Sequence, residues 1–118
     1  MWKLIAVAAV VLLAGCGVPH ELPEQAVEVH SIAAEGALLA HEASEGSHDA
    51  FTTEHAKALR KLLDPLRGAI DDPQLGRIAA DVDSSLAELA ARPGDRAGAA
   101  GAERKLERSA SAAEALAG

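Results

Sequence analysis

Several imidazole and carboxylate side chains are clustered within one short stretch of the sequence. His41 and Glu45 stand four positions apart, and His48 and His55 follow them closely. Neutral imidazole and carboxylate groups are ligands that suit zinc or copper. If the chain forms a helical hairpin that turns near Ser47, the start of the second helix lies beside the end of the first. The sequence therefore predicts a zinc or copper site formed by His41, Glu45, His48 and His55.

A simpler interpretation of the same residues stays open. A di-iron bundle uses a Glu-x-x-His pair on each of two helices, whereas the pair formed here by Glu45 and His48 spans a break at Gly46. The spacing of the four groups matches no other established metal motif. Charged and imidazole side chains are common on protein surfaces, so the alternative is that these are ordinary surface groups.

His55 needs its own explanation, because it falls among apolar positions of the second helical stretch. A buried imidazole without a hydrogen-bond partner costs about 1–3 kcal/mol of stability. We therefore expect a core histidine that is bonded to a backbone carbonyl or to an acid of the first helix. The alternative is a ligand or a proton-linked switch.

Four stretches of the chain repeat apolar residues every three or four positions, which is the period of an amphipathic helix. They cover residues 24–44, 49–64, 73–92 and 96–117. Pro65 should end or kink the second helix, because it lacks an amide hydrogen and its ring crowds the preceding turn. Asp72 and Asp95 precede the third and fourth helices and should cap them.

Four helices of similar length with short connections predict an all-α fold, an antiparallel, up-down-up-down four-helix bundle. The expected buried face of the second helix consists of Phe51, His55, Leu59, Leu62 and Leu66. The corresponding face of the fourth helix is nearly all alanine, which gains little free energy on burial. This helix should be the least firmly held, and the alternative is a three-helix core from which it is detached.

The beginning of the chain has the organisation of a secretory signal. Lys3 is followed by an apolar run over residues 4–12, which is too short to cross a bilayer as a permanent helix. The run leads into Leu13-Ala14-Gly15-Cys16, which contains the only cysteine. These four residues resemble the lipobox of bacterial lipoproteins, in which a branched aliphatic residue and two small residues precede the cysteine.

The resemblance implies processing and lipidation at Cys16. The signal peptide would be residues 1–15, the lipidated tether residues 16–23 and the helical domain residues 24–118. Cleavage before Cys16, a diacylglycerol on its thiol and a fatty acid such as palmitate on its amino group are implied. Two or more chains, at about 0.8 kcal/mol per buried methylene, anchor a protein stably. The expected location is the outer face of the plasma membrane or the outer membrane.

Composition narrows the function of the remaining domain. The 118 residues carry a net charge of −7, and loss of the signal removes one lysine and no acid. Nucleic acid is therefore an unsuitable partner. Phe51 is the only Phe, Tyr or Trp that follows the signal, so the aromatic walls of a large cofactor pocket are lacking. The sequence also has no recognisable pair of nucleophile and base and no glycine-rich phosphate-binding loop. We therefore expect that the protein is not an enzyme and holds no cofactor. We expect a protein-binding or structural module whose partner is an envelope protein. The alternative is a metal-binding lipoprotein.

Overall fold

The computed structural model describes residues 17–118 as an antiparallel, up-down-up-down four-helix bundle. The helices are α1 (Leu22–Ser44), α2 (Asp49–Ala69), α3 (Pro73–Ala91) and α4 (Arg96–Ala117). Within residues 17–118 there is no β-strand, and the predicted fold class is confirmed. None of these four helices is long and apolar enough to cross a membrane. The signal sequence and Cys16 lie outside the described residues.

The caps predicted for α3 and α4 are confirmed. The carboxylate of Asp72 accepts a hydrogen bond from the backbone amide of Leu75 at 2.9 Å. Asp95 does the same for the amide of Gly98, also at 2.9 Å. Each carboxylate satisfies one of the amide groups that a helix leaves free at its beginning. The starts of α3 and α4 are therefore determined by local sequence.

The prediction that α2 ends at Asp64 is wrong, because the helix continues through Pro65 to Ala69. A kink at Pro65, the alternative, stays a prediction. Pro65 is exposed, while the next residue, Leu66, is only 3% exposed and belongs to the core. Arg67 in the same turn forms an ion pair with Asp83 of α3. A proline inside a helix costs about 3 kcal/mol, and burial of Leu66 together with this ion pair offsets that cost.

The expected buried face of α2 is also wrong. Phe51 and Leu62 are 52% and 57% exposed, whereas Leu59 and Leu66 are buried as expected. The side chains of α2 that enter the core are Thr52, Ala56, Leu59, Leu63 and Leu66. The helix carries two adjacent apolar rows with the same spacing, and the bundle uses the row with more leucines. Burial of apolar area favours this choice.

Helix α4 is an integral part of the bundle, and its most extensive packing is against α1. The predicted buried face of α4 had six residues, of which Ala99, Ala102, Leu106, Ala110 and Ala113 are buried. The sixth, Ala117, is only partly buried. A Cβ atom added to Gly36 of α1 would lie 3.3 Å from Leu106 Cδ1 and 3.0 Å from Leu86 Cδ2. Small side chains thus let the two axes approach closely. The detached alternative is wrong, and the lower stability of α4 stays a prediction.

The segment before α1 is attached to the bundle along part of its length. Helix α1 begins at Leu22, two residues before the predicted start, and Val18 packs partly against the core. The side-chain amide of Gln25 donates hydrogen bonds to the carbonyls of Pro19 and Ala69, each at 3.0 Å. Since Gln25 is 2% exposed, these bonds tie the segment to the end of α2. The predicted tether is therefore fixed from Pro19 onward.

Candidate functional site

His41 lies in the last turn of α1 and connects this helix to α4. Its Nε2 atom is 3.1 Å from Glu45 Oε1, and its Nδ1 atom is 3.2 Å from Glu103 Oε2. The hydrogen bond and charge of Glu103 raise the pKa of His41 above 6.5, and the charges of Glu45 and Glu107 add to this effect. Helical spacing predicted the contact with Glu45, but Glu103 is 62 residues away in the sequence and required the tertiary fold.

We expect the contribution of His41 to stability to fall as the pH rises. Because its pKa is raised in the folded protein, the contribution is complete below about pH 6.5 and is lost as the pH passes the higher folded-state value. Thermal melting of the unmodified chain and of His41→Gln across this range measures the effect. The difference between their melting temperatures should shrink as the pH increases. A difference that is independent of pH would contradict the prediction, and His20→Gln, at an exposed position, is the control.

The other two predicted histidines occupy different surroundings. His48 is the exposed residue that precedes α2, and its side chain makes no capping bond. His55 is half-buried at the edge of α2, where its ring contacts that of Phe51 edge-on with the centroids 5.4 Å apart. The prediction of a core histidine is wrong, because the row that contains His55 faces away from the core.

The predicted metal ligands are not assembled into one site. Across residues 17–118, no three His, Cys, Asp or Glu side chains are arranged in a way that could hold a metal ion. His41 and Glu45 lie together, but His48 precedes α2 and His55 packs on Phe51. A zinc or copper function stays a prediction, which elemental analysis of the purified chain would test.

An open groove of about 480 Å³ lies between α1 and α4. Its apolar surface includes Leu38, which is 63% exposed. The complete lining is Ala34, Ala37, Leu38, His41, Glu103, Glu107, Ala110 and Ser111. The charged groups that border this groove are carboxylates, together with His41, which contacts one of them. We call this surface the α1–α4 groove.

A second groove of about 470 Å³ lies between α3 and α4 and has a different charge pattern. It contains Lys105 and Arg108 of α4 opposite Asp81 and Glu88 of α3. Helix α4 thus places Glu103 and Glu107 in the groove with α1, and Lys105 and Arg108 in the groove with α3. Serine side chains also line this second groove, but its lining includes no histidine that could act as their base.

A row of apolar and imidazole side chains remains uncovered on α2. It consists of Phe51, His55, Ala58 and Leu62, with three or four positions between successive members. We call these residues the outer row. At 1.5 Å per residue, the outer row extends about 16 Å along the helix. Single exposed apolar residues are normal on a protein surface, whereas a contiguous apolar surface is a candidate interaction site.

Ion pairs between α2 and α3 hold the outer row in this orientation. Arg60 Nε and Nη2 donate to the two carboxylate oxygens of Asp83 at 3.0 and 3.3 Å. Arg67 Nη1 lies 3.2 Å from Asp83 Oδ2, and Thr53 Oγ1 donates to the carbonyl of Ala90 at 3.0 Å. The hydrogen bonds that the Asp83 carboxylate accepts raise the pKa of the Arg60 guanidinium. A rotation that buried the outer row would break these contacts.

No protein-family model, curated protein or solved structure matches this chain.

Proposed function

We propose that this protein is a lipid-anchored, non-enzymatic module of the bacterial cell envelope that binds another envelope protein through its outer row. The observation that supports the proposal is the exposure of Phe51 and Leu62, at 52% and 57%. The bundle has a complete core without these two side chains. They are therefore available to a partner.

The outer row has the geometry of a helix-packing surface. Its spacing is the one by which helices interdigitate in bundles and in helix-in-groove complexes. Complete burial of a leucine or phenylalanine side chain contributes about 1.5–3 kcal/mol, so Phe51 and Leu62 can supply the central contacts of an interface. The contacts of Arg60 and Arg67 with Asp83 present the row in a fixed orientation, which reduces the conformational entropy lost on binding.

The proposed anchor keeps the module close to the bilayer. Lipidation at Cys16, implied by the lipobox, would attach the chain to the outer face of the plasma membrane or to the outer membrane. Three residue steps separate Cys16 from Pro19, whose carbonyl is bonded to Gln25, and they span at most about 11 Å. The nearby end of the bundle includes the beginning of α1 and the end of α2, since Gln25 also bonds Ala69. The outer row would then face other proteins of the same membrane surface.

Site-specific photo-crosslinking in living bacteria tests the proposed binding surface. A photoreactive phenylalanine analogue replaces either Phe51 or Leu62, and Lys57, exposed on another side of α2, is the matched control position. We expect one discrete crosslinked product from positions 51 and 62, with an envelope protein in it, and none from position 57. Equal products at all three positions, or none, would contradict the proposal. A product that contains two copies of this chain would show that the outer row mediates self-association and does not bind another envelope protein.

The anchor has a separate test. Cys16→Ala should abolish processing and partition of the protein into the detergent phase, because it removes the thiol that receives the diacylglycerol. Partition of the unmodified protein and of the variant is compared by immunoblotting. A variant that is still processed and still partitions into detergent would disprove lipidation at Cys16.

A further inference from the structure

The α1–α4 groove is a second surface, separate from the outer row. Leu38 and Val27 are 63% and 52% exposed. They lie on the same side of α1 as Ser31 and Ala34, with three or four positions between successive members. Eleven residues of helix correspond to about 16 Å, or three turns. A helix of at least three turns can therefore lie along this side of α1.

Carboxylates border this surface on both sides. Glu35 and Glu42 are exposed and lie one helical turn before and after Leu38. Glu103 and Glu107 of α4 line the opposite side of the groove. Helix α1 contains four glutamates and no lysine or arginine. A ligand for this surface must therefore carry positive charge along both edges of an apolar stripe.

Two bases of α4 lie away from the α1–α4 groove. Lys105 and Arg108 line the groove on the other side of the helix, next to α3. His41 lies at the groove, where it already contacts Glu45 and Glu103. Among the described residues, Glu35, Glu42 and Glu107 form no ion pair, and these carboxylates are left to an external cation. Because long-range attraction also accelerates association, the acidic border favours a basic partner over a neutral one.

We propose that the α1–α4 groove binds a basic amphipathic helix of a partner polypeptide. Apolar side chains of that helix pack on Ala34 and Leu38 of the groove, and on Val27, which lies beyond the lining on the same side of α1. Lysines or arginines on its two edges pair with the glutamates of α1 and α4. This is the helix-in-groove mode of recognition, in which anchors recur at helical spacing. The inference does not depend on the outer row, which lies on α2.

Binding of a synthetic peptide to the full chain in non-ionic detergent tests this inference. The probe is a fluorescent Leu/Lys amphipathic helix of about five turns, and the controls are a scrambled peptide of the same composition and a Leu/Glu peptide. Fluorescence anisotropy reports binding. We expect saturable binding of the Leu/Lys helix, weaker binding of the scrambled peptide, and no binding of the Leu/Glu peptide. Equal binding of all three peptides would overturn the proposal.

Variants of the groove separate this binding from association of the peptide with detergent. Leu38→Ser should weaken binding about tenfold, which corresponds to loss of roughly 1.4 kcal/mol of apolar contact. The double variant Glu103→Gln and Glu107→Gln should weaken it several-fold and reduce its salt dependence. Glu88→Gln, in the groove between α3 and α4, is the matched control and should have no effect.

The groove and the outer row fail in distinguishable ways. Affinity unchanged by both groove variants, with circular dichroism showing that each is folded, would overturn the groove proposal and leave the crosslinks at Phe51 and Leu62 unaffected. If no crosslinks form at positions 51 and 62 while the peptide still binds, only the proposal for the outer row is rejected. The photoreactive analogue is also placed at Leu38. A crosslinked product of two copies from this position would identify a second copy of this chain as the occupant and would contradict a separate basic partner.

Discussion

Replacing Leu63 with alanine is expected to lower the free energy of unfolding by about 3 kcal/mol, because truncating a buried leucine removes apolar contacts and leaves a cavity. Leu63 is 0% exposed in the core. The same substitution at Leu62, which is 57% exposed, should cost less than about 0.5 kcal/mol. Two adjacent leucines of one helix should therefore respond very differently to one chemical change.

Urea denaturation of the two variants measures this difference directly. Thermal melting provides a second measure, since 1 kcal/mol shifts the melting temperature of a domain of this size by about 4–8 °C. Leu63→Ala should melt more than about 10 °C below Leu62→Ala. If Leu62→Ala were the more destabilised variant, α2 would be rotated relative to the structure and the outer row would belong to the core.

Replacing Gly36 with valine is expected to destabilise the bundle by about 2–3 kcal/mol, because overpacking a close helix contact forces neighbouring atoms apart. A Cβ atom at this position would lie 3.0 Å from Leu86 Cδ2 and 3.3 Å from Leu106 Cδ1. The two methyl groups of valine would extend further into the same space. The change therefore affects the packing of α1 against both α3 and α4.

Gly76→Val is the matched control for this substitution. Gly76 also lies within a helix, but a Cβ atom added there has no neighbour within 4 Å. Valine has a higher helix propensity than glycine, so this variant should be as stable as the unmodified chain or slightly more stable. Equal losses of stability in the two variants, measured in urea, would show that α1 does not approach α3 and α4 closely at Gly36.

The sequence predicted the features of the fold that depend on local interactions. The number of helices follows from hydrophobic periodicity, and Asp72 and Asp95 were identified as caps because their position before a helix is itself the signal. The end of α2 was not predictable in this way. Pro65 opposes the helix locally, whereas the contacts of Leu66 and Arg67 that extend it are made with other parts of the bundle.

The orientation of α2 was not predictable from periodicity alone. Phe51 and Thr52 begin two adjacent rows, and Leu62 and Leu63 continue them with identical spacing. Periodicity identifies both rows but does not determine which one the other helices cover. The seven-residue interval between Arg60 and Arg67 was an available signal, because side chains at this interval share one face and here both contact Asp83. A pair of basic residues beside an apolar row could have indicated the α3 side of α2.

The candidate surfaces show the same division between local and tertiary information. Helical spacing predicted the contact between His41 and Glu45. Glu103 comes to the same imidazole from α4, and the exposure of Leu38 depends on how far apart α1 and α4 lie at that level. Three members of the outer row, Phe51, His55 and Leu62, belong to the face that the sequence predicts as buried. The exposure of the outer row is a property of the assembled bundle, and this exposure is the basis of the proposed function.

Protection of position 62 from a maleimide reagent tests the central claim most directly. Leu62→Cys is labelled in the purified protein and in intact bacteria, with Lys57→Cys as the exposed control on the same helix. Because the proposed lipidation would block the thiol of Cys16, the introduced cysteine would be the one that the maleimide labels. We expect position 62 to react readily after purification and to be protected in the envelope, with position 57 reactive in both. Equal reactivity of position 62 in both settings would contradict a partner on the outer row.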